Sequence, residues 1–228
     1  MSAALIGVGL YTPAQAARLT GIGAGKIARW LRGHEAGGVF YEALWQPQID
    51  LEDGHVYLCF RDLMETRVVD AFIRHGISAR SIRRAIRIAQ DLLGIDHPLS
   101  TRRFRTDGRT IFIDVCNEDG TTSLIDLLRS QYAFRQIIEP SLKNIEFDSM
   151  GAPARWWPLG RESRILVDPG RSFGRPIEAV SGIPAELLAN AIEAEGSVEA
   201  AARAWDVPIA SVRRALAFHD RLDLHQAA

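Results

Sequence analysis

Two groups of cations are the residues of this 228-residue chain best placed to do chemistry. Lys26, Arg29 and Arg32 recur every third position, so a helix through them puts all three on one side. Arg80, Arg83, Arg84 and Arg87 lie on a second helical stretch, where 80, 84 and 87 share a face at i, i+4, i+7. Ammonium and guanidinium groups in such rows neutralise phosphates. The first group suits the floor of a DNA major groove and the second suits the backbone beside it. Each has a plainer reading: an αα-hairpin with a wet basic side, and a solvated arginine face paired with Asp91 and nearby acids.

The elements that must position these groups are legible. Thr12 is a good N-cap, Pro13 fits the first helical position, and Gln15 stands three residues after the cap. Ala14 to Leu19 then make a short helix and Gly21 permits a sharp turn. Ile22, Ile27, Trp30 and Leu31 give the second helix its apolar face. The pair has the layout of a helix-turn-helix. Val39 to Trp45 and His55 to Phe60 have strand composition, with Asp53-Gly54 between them as turn signal, where a wing would sit. Arg61 to His75 carries Leu63, Val68, Val69, Phe72 and Ile73 at helical spacing, closed by Gly76. Ser78 caps the arginine helix, which runs to Leu93 before Gly94.

Leu99 to Val115 predicts a hairpin around Asp107-Gly108, with Arg102, Arg103, Arg105 and Arg109 crowded on it. Thr121 to Glu139 predicts a helix ending at Pro140. Leu142 to Asp148 and Arg155 to Val167 predict strands, and Trp156-Trp157 is expected in the core. Helices follow at Ala185 to Glu195, Val198 to Trp205 (capped by Ser197) and Ile209 to His219 (opened by Pro208). The last two form another helix-turn-helix pattern, with Ala201, Ala202, Trp205, Val207, Val212, Ala215 and Leu216 as core. Its second helix offers a groove only Ser211, Arg213 and Arg214, so dimerisation or partner binding is the preferred role. The fold expected is α+β and helix-rich. It has an N-terminal winged helix-turn-helix (1–96), a central β-hairpin and helix region (97–163) and a C-terminal helical, helix-turn-helix-like domain (164–228).

Whole-chain charge is −1, which by itself argues for no nucleic acid. Its distribution says more. Arg61 to Thr110 holds 11 Arg against 6 acids, whereas Pro176 to Ala228 holds 4 Arg against 8 acids. The two ends therefore suit different partners. Cys59 and Cys116 stand in apolar surroundings outside any CxxC pair and are expected as buried free thiols in a reducing cytoplasm. No segment predicts a membrane span or a signal peptide. The histidines at 34, 55, 75, 97, 219 and 225 show no metal-ligand spacing, and neither GxSxG nor a P-loop is present. Asp114, Glu118 and Asp119 are expected as a polar loop. No catalytic residue, metal or cofactor is expected.

Tyr11-Thr12, Ala17, Gly21-Ile22, Trp30, Asp62-Leu63 and Gly76-Ile77-Ser78 resemble the DNA-binding head of the MerR family over about residues 10 to 93. The chain departs from it at the wing arginine, missing between His55 and Phe60, and at the long dimerising helix. Asp168-Pro169, Gly174-Arg175-Pro176, Gly182-Ile183-Pro184, Ser197, Ala202, Trp205 and Ala215-Leu216 resemble a bacterial family of antitoxin-like domains. Together the two resemblances make the chain similar to VapB-type antitoxins. They imply a PIN-domain toxin partner (a VapC-type, Mg²⁺-dependent ribonuclease), binding to operator DNA as a homodimer, and repression of its own operon. The alternatives are a MerR-like single-component regulator sensing a small ligand, and an interaction adaptor without DNA binding.

Overall fold

The computed structural model of the chain describes residues 7–104 and 131–226. Thr12 starts α1 (Pro13–Thr20) with a full capping box: its hydroxyl accepts from the Gln15 amide, and its own amide donates to the Gln15 side chain. Two otherwise orphaned amides are satisfied at once. Gly21, at φ 73°, turns the chain toward α2 (Ala24–Arg32). Ile22, Ile27, Trp30 and Leu31 are buried as their spacing predicts.

The hairpin that follows lies one segment earlier than expected. β1 (His34–Ala36) and β2 (Val39–Tyr41) pair antiparallel across Gly37-Gly38, and β2 keeps only the start of the predicted Val39 to Trp45 strand. Both glycines have positive φ, 59° and 76°, the backbone that a two-residue turn between right-twisted strands demands. His55 to Phe60 forms no ladder beyond a single bridge from Leu58 to Tyr11. Asp53 closes a local turn instead, accepting from the His55 amide and the Tyr57 hydroxyl.

α3 (Phe60–Arg74) and α4 (Ala79–Leu93) stand as predicted, α4 between the Ser78 cap and a left-handed Gly94. Leu99 to Phe104 does not open a strand. Arg102 to Phe104 is helical, and the Thr101 hydroxyl caps it by accepting the Phe104 amide. A threonine able to cap competes with its own strand preference. The remainder of the expected hairpin, with Arg105, Asp107-Gly108 and Arg109, lies outside the described residues, as do Cys116, Asp114, Glu118, Asp119 and the start of the helix predicted from Thr121.

α5 (Gln131–Leu142) runs two residues past Pro140, which falls in its last turn. A four-stranded antiparallel sheet follows in chain order: β3 (Ile145–Phe147), β4 (Pro153–Trp156), β5 (Ile165–Val167) and β6 (Pro176–Glu178). The single strand expected over Arg155 to Val167 is two strands, because Gly160 (φ 86°) and Arg164 (φ 53°) reverse the chain between them. Trp156 is in the core; Trp157 is half-buried and donates to Glu146.

α6 (Ala185–Glu195), α7 (Val198–Ala204) and α8 (Ile209–Gln226) complete the described chain. Ala201, Ala202, Val212 and Ala215 are buried as predicted, but Trp205 is 40% exposed. α7 stops at Ala204, and Asp206 takes a left-handed φ of 50°, so the turn carries the indole outward. Val207 and Leu216 are half-buried.

One apolar core joins α1 to α4 with Leu99, Phe104, Ile137, Ile138, Trp156 and Val167; a second holds Ile165, Ala185, Leu188, Ala215 and Phe218. A clasp ties the start of the chain to the β5–β6 turn. The Tyr11 hydroxyl donates to the Gly174 carbonyl at 2.7 Å, and the Leu10 amide to the Phe173 carbonyl at 3.0 Å. Burial pushes the Tyr11 phenol above its ordinary range, the Cys59 and Asp168 sides adding to it, so it stays protonated and able to donate. Gly174 is required there: its φ is 79°, and an added Cβ would lie 2.2 Å from the Tyr11 oxygen. Arg18 of α1 adds an ion pair to Asp223 of α8 at 2.7 Å.

Candidate nucleic-acid interface

The seven predicted cations divide by what already holds them. Arg29 and Arg32 on α2, and Arg80 at the start of α4, are exposed and form no ion pair among the described residues. Lys26 points back into the protein. Its Nζ lies 2.8 Å from Asp70 of α3 and 5.1 Å from the centre of the Trp30 ring. Asp70 also takes Arg74 at 2.6 Å. Arg83 donates to the backbone carbonyls of Ala43, at 2.8 Å, and Glu42, and Arg87 pairs with the Glu42 carboxylate at 3.1 Å. These two arginines anchor the chain just beyond β2 to α4. Their partner is some forty positions away, so the sequence, which offered Asp91 and its neighbours, could not indicate it. Arg84 is half-buried.

The hairpin after α2 carries no lysine or arginine, only His34, Glu35 and Glu42 around its strands. Val39, Phe40 and Tyr41 are all exposed. Its chemistry is apolar and acidic, unlike a phosphate-binding wing.

At the start of α3 lies a buried polar hub that the sequence does not announce. Cys59 caps α3: its Sγ accepts the Asp62 amide at 3.3 Å, while Asp62 accepts the Cys59 amide at 2.9 Å and the Trp45 indole at 2.8 Å. His97 Nδ1 sits 3.5 Å from Asp62 and 3.2 Å from Glu65, and the other Glu65 oxygen accepts the Leu99 amide at 2.9 Å. Asp62 and Glu65 have no exposure at all. Burial alone would depress His97, but the Glu65 hydrogen bond and the charges of Glu65 and Asp62 lift it above the ordinary imidazole range. Burial lifts Glu65 above the usual carboxylate range against the pull of His97. Burial also pushes the Cys59 thiol up. Cys59, Asp62 and His97 have the composition of a metal site, with ligand atoms within 4.8 Å of one another. The carboxylates are already occupied by indole, amide and imidazole partners, and Sγ by an amide, so the arrangement is complete as a structural hub. The sequence signal was Cys59-x-x-Asp62, a capping box written with an unusual cap.

The C-terminal helix pair is turned the other way. Ser211 is buried, and Arg214 places Nε and a terminal nitrogen 3.0 and 2.7 Å from Glu178 of β6, itself fully buried. Arg213 pairs with Glu199 at 3.2 Å. Two of the three side chains expected to face a groove therefore hold α8 onto the sheet. Among the described residues no helix is long and apolar enough to cross a membrane.

This architecture is a mixed α and β arrangement similar to the crystal structure of Rv2018 from Mycobacterium tuberculosis, with a TM-score of 0.69 over 92% of this chain and 99% of that one, at 23% identity. At that identity the likeness speaks for the fold alone. In sequence, the chain is 27% identical over 224 residues to a Mycobacterium tuberculosis protein named "Putative antitoxin VapB45", spanning 92% of this chain and 93% of that one. No protein-family model matches.

Proposed function

We propose that this chain is the antitoxin of a toxin–antitoxin pair, binding its toxin directly and repressing its own operon. The observation that carries the reading is the similarity to a protein named as an antitoxin across nearly the full length of both chains. The partner in this reading is a PIN-domain, VapC-type ribonuclease, as the resemblance in the C-terminal motif implies. α1 and α2 serve as a MerR-like helix-turn-helix, and a homodimer matches a palindromic operator. Arg29, Arg32 and Arg80 are the cations free to meet phosphates. Lys26, Arg83 and Arg87 position the head from behind. Arg84 remains a candidate phosphate contact. No catalytic step and no cofactor belong to this role.

A second reading, an interaction adaptor without DNA binding, is favoured by the acidic and apolar hairpin and by the internal pairing of Lys26, Arg83 and Arg87. One pair of experiments decides between them. Co-expression with the product of the adjoining reading frame should give a complex that survives purification. The purified chain should shift a fragment of its own promoter, with affinity falling by about tenfold or more between 50 and 200 mM salt if at least two or three phosphates are neutralised. A complex without any promoter shift leaves the adaptor; no complex removes the antitoxin role.

A further inference from the structure

The β5–β6 connection, Asp168 to Pro176, presents an aromatic side chain that the fold does not use. Ser172 and Phe173 both have left-handed backbones, at φ 48° and 55°, followed by Gly174 at 79°. Consecutive left-handed residues with side chains are rare, because Cβ then crowds the backbone. The clasp explains why the turn is shaped this way: the Phe173 and Gly174 carbonyls must face Leu10 and Tyr11. It does not explain a phenylalanine. Only the carbonyl of residue 173 is used, glycine or asparagine would meet that backbone more easily, and the Phe173 side chain is 63% exposed. Arg171 and Arg175 flank it, both exposed and without an ion pair among the described residues. The Arg171 guanidinium lies over Gly182, where an added Cβ would be 2.5 Å from it. Beside the turn, Leu10, Leu19, Phe218 and Leu222 line a small cleft between α1 and α8, with Arg175 at its edge.

We infer that Phe173 is the anchor by which this chain grips its toxin, inserting into an apolar pocket whose rim of carboxylates meets Arg171 and Arg175. The inference rests on the antitoxin reading and names the surface it needs. An exposed aromatic between arginines is the composition of a binding hot spot. Charge selects the class of partner. Two guanidiniums make a poor phosphate track, and the segment from Pro176 onward holds 8 acids against 4 Arg, which would repel a duplex laid across it. A protein contacts only the patch. Because the turn is clasped to Leu10 and Tyr11, an occupant here also lies beside the segment that leads into α1.

The test uses the full chain and the product of the adjoining reading frame. Phe173→Gly removes the ring and gives the left-handed position its most tolerant residue. Its Tm should be equal to or above that of the wild type, while affinity for the toxin falls at least 20-fold and promoter binding is unchanged. Arg171→Glu with Arg175→Glu should slow association at least tenfold at low salt, an effect that shrinks as salt rises. If the wild type forms the complex and Phe173→Gly binds equally well, the inference is overturned and the antitoxin reading stands. If Phe173→Gly weakens promoter binding but not the complex, the turn serves nucleic acid and the inference is overturned. If the wild type forms no complex, both fall.

Discussion

Gly174→Ala should be among the most damaging single-methyl changes in this chain. The new Cβ would sit 2.2 Å from the Tyr11 oxygen, 2.9 Å from its Cζ and 3.1 Å from the Gly9 Cα. A normal contact needs about 3.5 Å, so the ring or the turn must move by roughly 1 Å or more. A side chain at this φ costs about 1 kcal/mol. Losing the buried hydrogen bond from Tyr11 costs about 1–2 kcal/mol, and forcing a methyl into packed space costs about 1–3 kcal/mol more. The sum, roughly 3–6 kcal/mol, corresponds to a fall of about 6–24 °C in Tm for a chain of this size. Tyr11→Phe alone should cost about 1–2 kcal/mol. It also removes the atom nearest the new methyl, so the double mutant should lose at least about 1 kcal/mol less than the two single changes added together. Thermal melts of the four proteins are the assay. A Gly174→Ala loss under about 2 °C, or strict additivity, would refute the clasp as described.

Other outcomes follow from the same contacts. His97→Ala should cost about 3–5 kcal/mol by leaving Glu65 buried without its partner, read by urea unfolding at pH 6. In the wild type His97 is raised in the folded state, so its contribution is full below the ordinary imidazole pKa and is lost as pH climbs through the folded value; unfolding midpoints should fall on the alkaline side, and His97→Gln should flatten that limb. Glu178 behaves oppositely. Burial raises it, but the Ser181 amide and Arg214 outweigh this and hold it below the carboxylate range, so its contribution is lost as pH falls, and Glu178→Gln should flatten the acid limb. Trp205→Gln should cost less than about 3 kcal/mol, below a core tryptophan truncation, since the residue is 40% exposed and belongs to neither buried core; a larger loss in a chemical melt would return it to the core. Each alanine replacement of Arg29, Arg32 or Arg80 should lower the promoter-binding salt slope by about 1, whereas Arg83→Ala should instead lower Tm.

Local chemistry was the legible part of this fold. The Thr12, Ser78 and Ser197 caps, the left-handed glycines after α1 and α4, and the apolar faces of α2 and α4 are decided within a few residues. Pairing at a distance was not. Gly37-Gly38 outcompeted Asp53-Gly54 as the hairpin turn because both its residues accept positive φ, a comparison between two good turn signals that composition does not rank. Arg83 and Arg87 suit phosphates or local acids such as Asp91 in sequence; their actual partners, Glu42 and Ala43, come from the chain beyond β2. His97 looked isolated because its partners, Asp62 and Glu65, are one helix away and resemble surface acids in sequence. Trp205 fits the core pattern of the C-terminal helix pair in sequence, and the left-handed Asp206 turns it outward. Asp168-Pro169 and Gly174-Arg175-Pro176 stand out as a motif, but the left-handed backbone and the exposure of Phe173 between them do not.

The clasp between Tyr11 and Gly174, and the pairing of Arg18 with Asp223, join positions 163 and 205 residues apart. A ribosome delivers these partners far apart in time. The first helix pair emerges early, yet Tyr11 stays without its acceptor until residue 174 has cleared the exit tunnel, and Arg18 waits for nearly the whole chain. Long-range closure of this kind slows folding and leaves apolar surface near Leu10 and Leu19 uncovered during synthesis. Nascent chains halted before residue 174 should therefore be cut readily by protease near residues 9 to 20, with protection arriving in two steps as the turn and then α8 emerge.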